Sequence, residues 1–164
     1  MIFVKFLALA VLAANLFGCS PKPAAGPTSS SSPAELTTVS MAQDEDKFAT
    51  ALLGDAAHHQ PALEWLSDSR DHIIWGKGDR DSLRSHFTEL QKAGVKEIWA
   101  CTQDLKGKQI AYCYIVHLPS SGAQRVAAFE IHNRFWMSQT DDNAKLEVLR
   151  RSDVAQKYLL YNFD

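Results

Sequence analysis

The sequence has few cysteines and no excess of charge of either sign. It contains 3 cysteines, and its 17 Lys and Arg residues against 19 Asp and Glu residues give a formal net charge of −2 with the histidines neutral. Domains that bind nucleic acid usually carry a basic stripe or patch. Because the sequence shows no such stripe, we expect no nucleic-acid partner.

Patterns typical of metal and nucleotide sites are also missing. The 6 histidines include the neighbours His58 and His59, but no two stand at i and i+4, the spacing that suits zinc ligation by one helix. Residues 76–78, Gly-Lys-Gly, lack the third glycine of the dinucleotide-binding pattern. We therefore expect neither a metal nor a cofactor.

Long apolar runs are absent apart from one short stretch near the start of the sequence. Lys5 is followed by the apolar residues 6–14, and Asn15 is the only polar residue before Phe17. A transmembrane helix needs about 20 apolar residues, so this stretch is too short to span a bilayer comfortably. It is typical of the charged and hydrophobic regions of a secretory signal peptide.

Residues 16–19, Leu-Phe-Gly-Cys, resemble the lipobox of bacterial lipoproteins. The resemblance implies that residues 1–18 are a signal peptide that is removed, and that Cys19 is lipidated with palmitate and anchors the chain. By analogy with Gram-negative lipoproteins, Ser20 after the cysteine implies the outer membrane, with the protein facing the periplasm. The alternative is an ordinary signal peptide cut elsewhere, which leaves Cys19 unmodified.

The next part of the sequence separates this N-terminal segment from a folded domain. Residues 19–43 are rich in Pro, Ala, Gly, Ser and Thr, and they include the serine run 29–32. Such a composition buries too little apolar surface to offset its ordering entropy, so we expect a flexible linker. Residues 44–164 are close to the commonest size of one domain, and we expect a single domain there.

The apolar periodicity of residues 44–164 predicts an α+β fold. Short connections that contain glycine predict that three consecutive strands form an antiparallel meander. We expect this meander to lie within a four- to five-stranded sheet with helices packed on one face. The predicted helices cover residues 44–53, 61–66, 79–93 and 142–151; the predicted strands cover residues 72–75, 96–103, 110–118, 125–132 and 158–163.

Cys101 and Cys113 fall on two consecutive predicted strands. A three-residue loop at 106–108 places them opposite each other, and so does a five-residue loop. A two-residue loop instead pairs Cys101 with Tyr112 and sends the two sulfurs to opposite faces. Because a three-residue loop with glycine is a common hairpin, we predict a cross-strand disulfide, which an oxidising periplasm would preserve. Two buried free thiols are the alternative, and a catalytic or metal-binding role for the pair is a third reading.

Strand alternation divides the predicted meander into two faces. One face, with Trp99, Cys101, Cys113 and Ile115, is expected to lie under the helices. The other face mixes apolar, aromatic and ionisable groups, as recognition surfaces do. Together with Trp136, which follows the last meander strand, it supplies the candidate protein-binding residues Tyr112, Tyr114, Glu130, His132 and Trp136. Packing of these residues into a core is the alternative.

Glu130 and His132 share a face if residues 125–132 form a strand. A carboxylate beside an imidazole can tune it for general-base chemistry. No nucleophile stands at a recognisable spacing from them, and we expect no catalytic residues and no enzyme. The sequence thus favours a membrane-anchored periplasmic lipoprotein whose domain binds another protein, of the immunity or inhibitor type or as an envelope assembly factor. The alternatives are an envelope enzyme that uses Glu130 and His132, and a passive structural lipoprotein.

Overall fold

The computed structural model describes residues 33–68, 73 and 74, and 79–162. The predictions for Cys19, the signal peptide and residues 76–78 lie outside these residues. The elements in chain order are α1 Pro33–Leu53, β1 His59–Pro61, α2 Ala62–Ser67, β2 Ile73–Ile74, α3 Arg80–Lys92, β3 Ile98–Leu105, β4 Lys108–His117, α4 Gly122–Gln139, α5 Asn143–Leu149 and β5 Tyr158–Asn162.

A five-stranded sheet forms the centre of the domain. The antiparallel hairpin of β3 and β4 lies in the middle, and β1 pairs antiparallel with the free side of β3. The other side of β4 pairs in parallel with β2 near its start and antiparallel with β5 near its end. Helices packed on a largely antiparallel sheet make the fold α+β, which confirms the predicted class.

Helix α3 forms where the sequence predicts it. Its N-cap is Asp79, whose Oδ2 accepts a hydrogen bond from the Ser82 amide at 2.8 Å. Leu83, Phe87 and Leu90 are buried on one face of the helix. The predicted helices that became α2 and α5, and the last strand β5, are likewise confirmed to within a few residues.

Residues 125–132, predicted as the third strand of the meander, belong to α4 instead. Over that short window the apolar residues alternate, but the buried positions continue as Ala128, Ile131, His132 and Phe135 at helical spacing. The longer period decides the outcome because a helix in this place buries one continuous stripe against the sheet. The predicted three-strand meander is therefore wrong, and β5 and β2 take the place beside β4.

Helix α1 corrects both the predicted linker and the predicted layering. It begins at Pro33, so residues 33–43, predicted as part of a flexible linker, are helical. Ala42 and Ala49, two turns apart, are buried on its inner side. Helices thus cover both faces of the sheet, not one, because the second face also carries apolar side chains that need cover: Cys101, Cys113, Ile115 and Leu160.

The two faces of the sheet have different cores. The larger core lies between the sheet and helices α2, α3 and α4, and its strand residues include Tyr114, Leu159 and Tyr161. The smaller core lies under α1, where Ala49 packs with Cys101 and Cys113. The face that was expected to be open, with Tyr114, is thus the more deeply covered one.

The β3–β4 hairpin combines a two-residue turn with a β-bulge. Leu105 pairs with Lys108, and the two residues between them, Lys106 (φ 52°) and Gly107 (φ 79°), both have positive φ, as a type I′ turn requires. The register shifts between Cys101 and Thr102, which restores the pairing of Cys101 with Cys113. The predicted three-residue loop is wrong, but the predicted position of the two cysteines is correct.

Candidate functional site

Three of the five candidate binding residues are buried in the larger core. Tyr114 is 0 % exposed, His132 is 1 % exposed and Trp136 is 6 % exposed. They cannot belong to a docking surface in this fold. The prediction failed because α3 and α4 pack over the sheet face that carries Tyr114, and because His132 and Trp136 are buried residues of α4 itself.

Glu130 and His132 do not form an acid–base pair. Both lie on α4, where positions two apart point to nearly opposite sides of the helix. Glu130 is exposed and His132 is buried. The geometry proposed for the enzyme alternative, two side chains on one strand face, is therefore absent.

His132 belongs to a buried chain of hydrogen bonds that the sequence did not reveal. Its Nε2 lies 3.3 Å from the Leu149 carbonyl, which can only accept, so Nε2 carries the proton. Its Nδ1 then accepts the Tyr161 hydroxyl proton at 2.8 Å. The Tyr161 oxygen in turn lies 2.9 Å from His86 Nε2, which donates to it. His86 stands three residues after Leu83 on α3, so the helical stripe could have placed it in the core.

Burial sets the charge of both imidazoles. Removal from water lowers the pKa of His132 to about 3, and the positive charge of Arg151 acts in the same direction. Burial also lowers the pKa of His86 to about 3, assisted by His132 and Arg134. Both rings are neutral near pH 7, which suits the hydrogen-bonded core and does not suit proton transfer near neutrality.

The smaller core leaves a row of partly exposed rings beside α1. Trp99, Tyr112 and Tyr158 are each partly buried and pack against the smaller core. The ring of His59 meets the Trp99 ring edge-on, with centroids 5.0 Å apart, and the His117 ring lies 5.2 Å from that of Tyr158. We call these five residues the aromatic face. Tyr112 is the one member that the sequence-based prediction named as a binding residue.

Acidic side chains border the aromatic face. His117 Nδ1 lies 2.8 Å from Glu97 Oε2, and both side chains are about half exposed, at 44 % and 54 %. Asp46 on α1 accepts hydrogen bonds from the backbone amides of Lys157 and Tyr158 at 2.9 Å and 3.0 Å. These contacts fix the Tyr158 end of the face against α1.

Cys101 and Cys113 lie directly opposite each other under α1 as free thiols. Each is 1 % exposed. The neighbouring Cys113 thiol lowers the pKa of Cys101, against the effect of burial. The disulfide predicted from the sequence is not formed in this structure, although the pairing on which it depends is present.

No group of three or more His, Cys, Asp or Glu side chains that could hold a metal ion occurs among the described residues. No helix in the described parts of the chain combines the length and apolar composition needed to cross a bilayer. Comparison of the chain with protein-family models, with curated proteins and with solved structures finds no match. A functional proposal for this chain therefore rests on its own sequence and structure.

Proposed function

We propose that this chain is a periplasm-facing lipoprotein, anchored in the outer membrane at Cys19, whose α+β domain binds another protein through the aromatic face. The anchor rests on the lipobox resemblance of residues 16–19. The binding role rests on the partly exposed rings of Trp99, Tyr112 and Tyr158 on one face of the sheet. Tyrosine and tryptophan are enriched where protein partners meet, because they bury a large area at low entropic cost.

The rings of the aromatic face are held in place before a partner arrives. Tyr112 and Tyr158 pack against the smaller core, and the His59 ring fixes one edge of Trp99. A side chain that is already ordered loses less conformational freedom when it is buried by a partner. This pre-organisation supports a binding function for the face over a purely structural lipoprotein.

The position of the ionisable groups weighs against the enzyme alternative. Glu130 and His132 point to different sides of α4, and the pKa of His132 is lowered to about 3 by burial. An enzyme would need ionisable groups gathered in a concave site. We therefore keep the protein-binding function, with an immunity or inhibitor role and an envelope assembly role as its two forms.

Replacing Trp99 by alanine is expected to remove most of the affinity for the partner. The affinity-tagged full chain, cross-linked in the cell and recovered from envelope extracts, should capture its partner at least about tenfold less efficiently after Trp99→Ala. Met137→Ala, which truncates a side chain 53 % exposed on α4, is the matched control and should leave capture unchanged. Thermal melting of both variants checks that the fold is retained.

Equal capture by the wild type and by the folded Trp99→Ala variant would contradict the proposed face. The identity of the captured protein separates the two forms of the function. A secreted toxin or effector indicates an immunity or inhibitor role, and a component of envelope machinery indicates an assembly role.

Labelling with palmitate tests the anchor separately. Cells fed a labelled fatty acid should incorporate it into the wild-type chain and into Cys101→Ser, but not into Cys19→Ser, because only the cysteine after Gly18 matches the lipobox. Because the acyl chains on Cys19 are the proposed membrane attachment, the Cys19→Ser variant should also be lost from the membrane fraction. Label on Cys19→Ser, or none on the wild type, would overturn the proposed anchor.

A further inference from the structure

Cys101 and Cys113 are directly opposed residues of an antiparallel strand pair, a position in which disulfides can form. Directly opposed residues of an antiparallel pair have Cα atoms about 4.5 to 5.5 Å apart, and disulfides span about 4.4 to 6.8 Å. The two residues are paired across β3 and β4, and both are buried in the smaller core. The sheet thus presents a pre-formed dithiol.

Helix α1 covers this dithiol. Ala49 is 0 % exposed and packs with both cysteines, and Leu52 and Leu53 lie against the same cluster. An oxidant that forms a mixed disulfide must reach one sulfur directly. With each thiol 1 % exposed, such contact requires that α1 is absent from the sheet.

We propose that Cys101 and Cys113 are a covalent-modification site, whose disulfide forms before α1 docks on the sheet and is then sealed beneath that helix. The two cysteines belong to one hairpin, which closes through local contacts, whereas α1 meets β5 across most of the domain sequence. Local contacts form faster than distant ones. The hairpin therefore exposes its paired thiols to an oxidant for a time during folding.

The reaction is a thiol–disulfide exchange with an oxidising protein disulfide. One cysteine thiolate attacks a sulfur of that disulfide and releases one thiolate of the oxidant. The second cysteine then attacks the mixed disulfide, which forms the Cys101–Cys113 bond. Two electrons pass to the oxidant, and the two protons of the thiols end on its two reduced sulfurs. The presence of such an oxidant in the cell depends on the proposed periplasmic location.

Two acidic side chains of α1 bind the helix to the segment that joins α5 to β5 and to the start of β5. Asp46 accepts three hydrogen bonds from the amides of Lys157 and Tyr158. Glu45 forms an ion pair with Arg151 at 2.7 Å, and both of these side chains are 19 % exposed. Because the Asp46 carboxylate accepts from backbone amides of the segment entering β5, its truncation is expected to loosen α1 while leaving both cysteines in place.

The test measures the rate of thiol labelling in the purified, reduced full chain. The folded wild type should react with a thiol reagent much more slowly than the chain in urea. Asp46→Ala should raise the labelling rate of the folded protein at least about fivefold, which corresponds to a modest gain in helix opening. Asp44→Ala, which removes only the exposed contact with Lys47 in the same helix, is the matched control and should leave the rate unchanged.

A refolding experiment, which measures the rate of disulfide formation, is the second part of the test. Reduced chain diluted from urea into oxidised glutathione should acquire the bond, whereas folded reduced chain in the same buffer should acquire it at least about fivefold more slowly. Equal rates in the two cases, or equal labelling of Asp46→Ala and Asp44→Ala, would overturn the proposal. If the purified chain behaves as expected but the protein recovered from cells holds free thiols, the dithiol site stands and the proposed periplasmic location is wrong.

Discussion

Lowering the pH from about 7.5 to about 5 is expected to destabilise the domain by about 2 to 4 kcal/mol, through the two buried imidazoles of His86 and His132. The pKa of each is lowered to about 3 by burial, from 6.5 in an exposed histidine. Between about pH 6.5 and pH 3, the unfolded chain therefore binds protons at these two histidines, whereas in the folded chain the two rings stay neutral. The stabilisation is complete above pH 6.5 and is lost as the pH falls toward 3.

The charges around the two rings strengthen this effect and do not reverse it. Arg134 lowers the pKa of His86, and Arg151 lowers that of His132. Asp153 beside Arg125, the one carboxylate with a lowered pKa among the described residues, loses its contribution only below its ordinary pKa of 3.8. Above about pH 5 most carboxylates stay ionised, so the histidines dominate the profile in that range.

Urea unfolding at a series of pH values measures the effect. The double variant His86→Gln and His132→Gln is expected to be less stable at neutral pH, but its stability should change little between about pH 7.5 and about pH 5, because glutamine does not titrate. His58→Gln alters a histidine that is exposed, and should keep the wild-type profile. A flat wild-type profile, or an equally steep one in the double variant, would show that the buried rings are not its source.

Helices and strands were predicted correctly where the apolar residues fitted only one of the two periods, helical or alternating. Helix α3, predicted over residues 79–93, has Asp79 as its N-cap and buries Leu83, Phe87 and Leu90 on one face. Residues 125–132 were predicted wrongly because alternation over a short window suits a strand as well as part of a helix. Only burial against the sheet distinguishes the two, and burial depends on the rest of the fold.

The two faces of the sheet could not be told apart from strand alternation alone. Alternation correctly separated Trp99, Cys101 and Cys113 from Tyr114. Which face receives three helices and which receives one depends on where α1 and α4 lie, and both were mispredicted in part. The aromatic face emerges from that difference, because a single helix leaves Trp99 partly uncovered.

The β-bulge explains why the pairing of Cys101 with Cys113 was predicted correctly although the predicted loop length was wrong. A two-residue turn alone would place Cys101 opposite Tyr112. The extra residue in β4 shifts the register by one and returns Cys113 to the position opposite Cys101. Turn chemistry is visible in the sequence as Lys106-Gly107, but a bulge is decided by side-chain packing on both faces.

Replacing Tyr161 by phenylalanine is expected to destabilise the domain by about 2 to 4 kcal/mol, although it removes a single oxygen atom. That oxygen donates to His132 Nδ1 and accepts from His86 Nε2. Its loss leaves one buried acceptor and one buried donor without a partner, and each costs about 1 to 3 kcal/mol. The ring packing on Trp136 and Phe87 is kept, so the change isolates the polar contribution.

Tyr158→Phe is the matched control, since the same atom is removed from a partly exposed ring on the other face, and it should cost less than about 1 kcal/mol. A triple variant, Tyr161→Phe with His86→Leu and His132→Leu, should recover part of the lost stability, because it removes the stranded polar groups along with their partner. Urea unfolding at neutral pH measures all three. If Tyr161→Phe matches Tyr158→Phe, the two histidines find other partners in the core, and the hydrogen-bonded chain from His86 to Leu149 does not hold the larger core together.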